Sequence, residues 1–179
     1  MGVTGEPVLH KELPIPARDV TKAKALLAEA GAPNPVISLM ASNNPENLQA
    51  AQVIQAMATE SGFDIQIQAT EFASSLQLAA KGDFEAFLLA WSGRSDPDGN
   101  IYNLLACNGQ LNDGRYCNPE VDRELDAARA VEARAERIAH FRRVADLVLQ
   151  DRPIIYLSTA SFAMPRPPNC RVSLPTRMA

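Results

Sequence analysis

The sequence predicts an α/β chain, with a mixed, mostly parallel sheet and helices on both faces, from three observations. A strand, a helix and a second strand follow one another between Val36 and Thr70, which is the length of one βαβ unit. A nearly continuous apolar run, Phe84 to Trp91, has the pattern of a central strand covered on both faces. Stretches with apolar residues at i, i+3, i+4 and i+7 flank these strands, as helices packed on a sheet require.

Residues 1–18, with Pro7, Pro14 and Pro16, read as an extended lead-in. Asp19 then caps a helix from about Val20 to Ala30, with Ala23, Leu26, Leu27 and Ala30 on its apolar side and Gly31 at its stop. Val36 to Met40 is a β-branched-rich strand after Pro33 and Pro35. Asn44-Pro45 opens a second helix to about Glu60, which Gly62 ends. Asp64 to Thr70 alternates, Ile65, Ile67 and Ala69 on one side and Gln66 and Gln68 on the other, and is a strand. The two strands are expected to be parallel with a right-handed crossover. A third helix, Phe72 to Ala80, closes at Lys81-Gly82-Asp83, and the apolar run to Trp91 follows. Asp96 begins a short helix from Pro97 to Leu105, and Cys107 to Tyr116 is a polar loop. Pro119 to Ala130 and Arg134 to Gln150 are two more helices, the second burying Ile138, Phe141, Ala145 and Val148. Ile154 to Thr159 is the last expected strand, and beyond it Pro165, Pro167, Pro168 and Pro175 break any regular element.

At 179 residues the chain can bury one good core. A hydrophobic content of 46% with 21% charged residues argues against disorder. The net charge of −4 supplies no basic face for nucleic acid, which is excluded as a partner. No apolar run reaches the roughly 18 residues of a membrane span. Met1-Gly2-Val3-Thr4-Gly5 lacks a signal peptide's basic start and apolar core, so the protein is either cytosolic or an excised domain.

The segment from Trp91 through Ser92, Gly93, Arg94 and Asp96 to Asn100 leaves the carboxyl end of the apolar strand. Ligands of open α/β sheets bind at that end. Its composition suits recognition: a flat aromatic surface, a fixed cation, small hydroxyls and glycine. Each residue also has a plainer reading. Asp96 before Pro97 is a standard helix cap, Trp91 is a core residue at a strand end, and Arg94, with no obvious local partner, is a solvated surface cation. Asp96-x-Asp98-x-Asn100 resembles the start of a calcium loop, but Ile101 and Cys107 stand where glycine and glutamate are needed, which rejects calcium. The histidines His10 and His140 have no companion at metal spacing, so no metal or other cofactor is expected. No nucleophile elbow and no phosphate-binding glycine pattern occurs, so no catalytic residue is assigned. Cys107 and Cys117 flank one polar loop and are either a disulfide or two reduced thiols; Cys170 is the odd one out.

Four stretches, in order and spacing, resemble the bacterial extracellular solute-binding proteins of family 5, the peptide, nickel and opine receptors. They are Lys22-Ala23-Lys24-Ala25-Leu26-Leu27-Ala28-Glu29-Ala30-Gly31; Asn44-Pro45-Glu46 through Gln55 to Ile65-Gln66-Ile67; Lys81-Gly82-Asp83-Phe84-Glu85-Ala86 with Trp91 and Asp96-Pro97-Asp98; and Tyr116-Cys117-Asn118-Pro119-Glu120-Val121-Asp122 leading through Leu125 to Ala128-Arg129. The resemblance implies a periplasmic-binding-protein-like lobe over 19–160, taken from the carboxyl-terminal part of a two-lobed parent. Residues 161–179 would then form an irregular tail toward the hinge. It implies an excised domain, not a cytosolic protein, and a periplasmic parent in which Cys107 and Cys117 bridge. The partners it implies are a peptide or peptide-like small solute, the first lobe of the same parent chain and an ABC permease, with no enzymatic activity. In the family's peptide receptors a Trp and an acidic residue of this segment lie near the ligand, the acid pairing with an α-ammonium group. Trp91 keeps that place, whereas Arg94 stands where the acid is expected, which points to a ligand with an anionic group. The alternatives are a small α/β enzyme using carboxylates and Arg94, and a receptor lobe that senses without transport.

Overall fold

The computed structural model describes residues 17–94 and 96–157, and the secondary-structure elements within them follow the expected order. These are α1 (Val20–Glu29), β1 (Val36–Ser42), α2 (Pro45–Glu60), β2 (Asp64–Thr70), α3 (Phe72–Lys81), β3 (Ala86–Leu88), α4 (Pro97–Leu105), α5 (Pro119–Ala130) and α6 (Arg134–Asp151). Most of the 1–18 lead-in and all of the 161–179 tail, with His10 and Cys170, lie outside the described residues.

Helix starts are set by side chains that accept the first free N–H groups. Asp19, Asn44, Glu71, Asp96 and Asn118 each accept from a backbone N–H two or three residues on. In α2, α4 and α5 a proline follows the cap, where its missing N–H costs nothing. Gly82 ends α3 in the left-handed region at φ 78°. The Arg115 guanidinium lies on its bare Cα and donates to Lys81 O at 3.0 Å.

The three strands are parallel in the order β2-β1-β3. The chain therefore moves one way across the sheet from β1 to β2 and the other way from β2 to β3. With right-handed crossovers, those opposite moves put α2 and α3 on opposite faces. Leu39, Ala41, Ala51 and Ile65 fill the α2 side as one buried cluster. Met40, 1% exposed, alternates to the other face, where α3 buries Ser75 and Ala79. A second cluster joins α4, α5 and α6, built from Leu105, Val121, Leu125, Ala128, Phe141, Val144 and Val148.

Two sequence expectations need correction. Among the described residues β1 is the central strand, pairing on both sides, and the apolar run Phe84–Trp91 gives only the three-residue β3, paired on one side. Register explains its brevity: Ala41 pairs with Leu88, and β1 ends at Ser42 before turning into α2. Past Leu88 no paired residue follows among the described residues, and Leu89 and Trp91 are exposed. The second correction is the expected strand Ile154–Thr159. Ile154 to Leu157 form no strand, and Ser158 and Thr159 lie outside the described residues. Ile155 is 79% exposed, with no neighbouring strand among the described residues for its branched side chain to pack against.

Candidate functional site

Because the sheet is parallel, Ser42, Thr70 and Leu88 close their strands at one end of it, and the segment from Leu89 to Arg94 leaves from there ahead of α4. Trp91, Ser92, Gly93 and Arg94 are all exposed, so this segment forms a lip and not a core. The core reading of Trp91 does not hold.

The lip is held together by residues of its own and of α4. The Arg94 guanidinium lies 5.2 Å from the centre of the Trp91 ring. Its Nη1 donates to Ser92 O at 3.1 Å and to Ser92 Oγ at 3.2 Å. Arg94 thus has local partners that the sequence did not suggest. Its Nε and Nη2 have no hydrogen-bond acceptor among the described residues, so one face of the planar fork stays open to solvent. Beneath it, a Cβ on Gly99 would come within 3.2 Å of Arg94 Cβ, closer than ordinary contact, so glycine there gives the arginine stem room.

Asn100, in the first turn of α4, grips the lip with both ends of its amide. Oδ1 accepts from Trp91 Nε1–H at 3.2 Å and from the Arg94 backbone N–H at 2.6 Å. Nδ2 donates to Arg94 O at 2.8 Å and Asp96 O at 3.0 Å.

Asp96 is engaged by the start of α4 and by α6. Its Oδ1 caps α4 by accepting from Asp98 N–H at 2.9 Å. Both its oxygens accept from Arg137, each at 2.8 Å. The Arg137 guanidinium holds its carboxyl below the usual carboxylate range, against the upward push of partial burial. Next to it Arg129 makes a second two-pronged pair with Asp98, at 2.7 and 2.9 Å, while lying over the Tyr102 ring. The first turn of α4 is therefore pinned to α5 and α6 by two fork-like pairs.

Further along, Cys107 and Cys117 are joined in a disulfide. Asn112 fills the loop it closes, donating to Ala106 O and Tyr116 O and accepting from Tyr116 N–H. Gly109 packs against the Asn103 carbonyl so closely that a Cβ there would collide with it. His140 lies 2.7 Å from Glu124, which also accepts from Arg143. Among the described residues no group of three or more His, Cys, Asp and Glu is arranged to hold a metal ion.

The structure brings Trp91, Ser92 and Arg94 together, and ties Asp96 to Arg137 through its carboxylate and to Asn100 through its backbone carbonyl. Sequence reading missed Asn100, Gly99, Arg129 and Arg137 as lip-holding residues. Asn100 stood in the same run, but nothing in its spacing announces that its amide turns back onto the preceding loop. Arg137 is 41 residues from Asp96, a pairing that no local pattern carries.

With this geometry in hand, the likenesses to other proteins fall into place. Residues 4–112 match the profile described as "Bacterial extracellular solute-binding proteins, family 5 Middle". The chain is 31% identical over 150 residues to the di/tripeptide-binding protein 4 of Pseudomonas aeruginosa, covering 78% of this chain and 28% of that protein. It is 32% identical over 149 residues to heme-binding protein A of Haemophilus influenzae, covering 76% and 27%. Among solved structures, the dipeptide-binding protein of Pseudoalteromonas sp. SM9913 in complex with Met-Leu superposes with a TM-score of 0.72 at 26% identity, covering 78% of this chain and 29% of that one. The chain spans less than a third of the length of these proteins. On the extent of the matched profile and on these identities, the chain belongs to the bacterial extracellular solute-binding proteins of family 5.

Proposed function

We propose that the chain is a solute-capturing lobe of an ABC-importer binding protein, and that its lip from Trp91 to Arg94 faces a peptide or peptide-like small solute. The observation that carries this reading is the exposed stack of Trp91 and Arg94 at the carboxyl end of a parallel sheet. An indole face accepts apolar or planar groups, and a guanidinium accepts anions. The Ser92 hydroxyl beside Arg94 has no base among its hydrogen-bond partners in the described residues, and a stacked indole and guanidinium suit capture of a solute. The relatives named for di/tripeptide binding support peptide as the solute class.

Capture of this kind needs a second surface. The first lobe of the same parent would close over the lip, in the periplasm, and the closed form would be the one an ABC permease accepts. The open edge of the Arg94 fork matches a carboxylate with two parallel hydrogen bonds. The ligand therefore presents an anionic group to this lobe: an acidic or modified peptide, an opine-like compound or an anionic metal chelate.

Titration calorimetry tests the reading on the two-lobed parent with acidic and neutral peptides. Arg94→Ala is expected to weaken the acidic ligand about tenfold or more and the neutral one far less. Equal affinity of mutant and wild type for the acidic ligand sinks the anion assignment. Residues 1–179 alone offer half a groove and are expected to bind weakly; nanomolar binding by them would contradict the two-lobe reading.

A further inference from the structure

We infer that Asn100 is the positioning residue of the lip: its single amide fixes the Trp91 indole and the Arg94 backbone together, and so sets the face the lobe presents to ligand. This deepens the reading of Trp91 and Arg94 as ligand-facing and rests on it.

Four hydrogen bonds end on one side chain, two accepted and two donated, which uses the capacity of a primary amide. They are spread over three residues of an exposed segment outside any strand or helix. Such a segment has no ladder of its own to fix its conformation, so these bonds decide it. No other residue type makes the same set. Aspartate keeps the two acceptor contacts but loses both donors. Glutamine is one methylene longer and overshoots. Leucine offers nothing.

The grip is transmitted from the helices and not from the sheet. Asn100 sits in the turn whose neighbours Asp96 and Asp98 are held by Arg137 and Arg129. Its own neighbour Gly99 takes the stem of Arg94. The indole and the guanidinium are thereby located relative to α5 and α6, although the chain that carries them leaves β3. Holding both groups before ligand arrives removes ordering that binding would otherwise require.

Trp91 is the only tryptophan in the chain, so its indole N–H gives a single, unambiguous proton–nitrogen resonance. The test needs no ligand and so stands apart from the solute assignment. In 15N-labelled 179-residue protein, Asn100→Ala is expected to move that resonance upfield and speed its exchange with solvent about five- to tenfold. Asn100→Asp retains the acceptor and adds charge, so it is expected to move the resonance downfield. Asn103→Ala, an exposed change on the same helix, is expected to leave it in place. The inference is overturned if the resonance and its exchange are the same in Asn100→Ala as in wild type, or if Asn103→Ala moves them as far. Should the alanine variant fail to fold, an unshifted resonance in Asn100→Asp overturns it alone. A shifted resonance together with unchanged solute affinity in the parent would keep Asn100 as the positioning residue and remove the ligand role of Trp91.

Discussion

The half of the chain from α1 to β3 and the half from α4 to α6 are stabilised in different ways. The first is a sheet layered between helices. Its strength lies in β1, where Leu39, Met40 and Ala41 are 5% exposed or less, and it weakens outward. On α2, Val53 and Met57 are half exposed, and β3 keeps only three paired residues. The second half is tied at several separate points. It has a full apolar cluster, a disulfide at Cys107–Cys117, and two fork-like Arg–Asp pairs. The lip belongs to the first half by chain connection and to the second by its bonds. An exposed segment can thus be held in place although the strand it leaves is short, because a better-fastened neighbour holds it.

The largest effect that would sharpen this contrast comes from the helical core. Phe141, 2% exposed, packs between α5 and α6, and Phe141→Ala is expected to cost about 3–5 kcal/mol in urea unfolding. If the halves are fastened as described, hydrogen exchange will rise first in α4 to α6 and in the Trp91 indole, and later in β1 and β2. Uniform loss of protection would break the distinction.

Opening the disulfide comes next. Its sequence separation is 10, and closing a loop that short contributes about 2–3 kcal/mol in the chain-entropy picture. Reduction, or Cys107→Ser with Cys117→Ser, should lower the unfolding free energy by about that amount while β1 and β2 keep their exchange protection. Early loss of protection in β1 would show that the loop also braces the sheet, through the contact of Arg115 with Lys81 and Gly82.

Element order and type were readable from the sequence wherever one element determined its own signals. Asn44-Pro45, Asp96-Pro97 and Asn118-Pro119 announce helices because cap and proline act within a single turn. The alternation from Ile65 to Ala69 announces β2 for the same reason. What failed was what depends on neighbours. An apolar run such as Phe84–Trp91 is a full strand only where another strand lies beside all of it, and β1 ends at Ser42, one residue past the partner of Leu88. Ile154–Leu157 failed likewise. The lip was located by its place after a strand, and its composition pointed to Trp91 and Arg94. The means of holding it, Asn100 from inside and Arg129 and Arg137 from distant helices, exist only after folding.

The pair of Asp96 with Arg137 is a smaller lever that bears directly on the lip. Asp96 is about half exposed, with 52% of its side chain accessible, so water screens the pair and its contribution is about 1 kcal/mol. Asp96→Asn should cost roughly that much and loosen the Trp91 indole. The carboxyl's folded value is depressed, so the stabilisation is present above its unfolded value near about 4 and disappears as pH falls through the folded one. A wild-type acid titration of stability that matches that of Asp96→Asn would show that the pair does not stabilise the fold.

The smallest effect lies at the far end of the helical half and at the other end of the pH scale. Burial, and then the hydrogen bond its hydroxyl donates to Asp151 at 2.6 Å, push the Tyr116 phenol up to about 12. In the unfolded chain the phenol ionises near about 10. A group whose folded value is raised stabilises the fold fully below its unfolded value and stops doing so as pH rises through the folded one. The chain should therefore lose stability between about pH 10 and pH 12. Tyr116→Phe should flatten that slope, at the cost of leaving Asp151 with the Asn118 amide as its remaining side-chain partner among the described residues. The loss belongs to the loop that Cys107 and Cys117 close, so exchange of the Cys107 and Tyr116 amides should report it while the amides of β1 stay protected. An alkaline slope that persists unchanged in Tyr116→Phe would assign it to other groups and leave the helical half without this titrating contact.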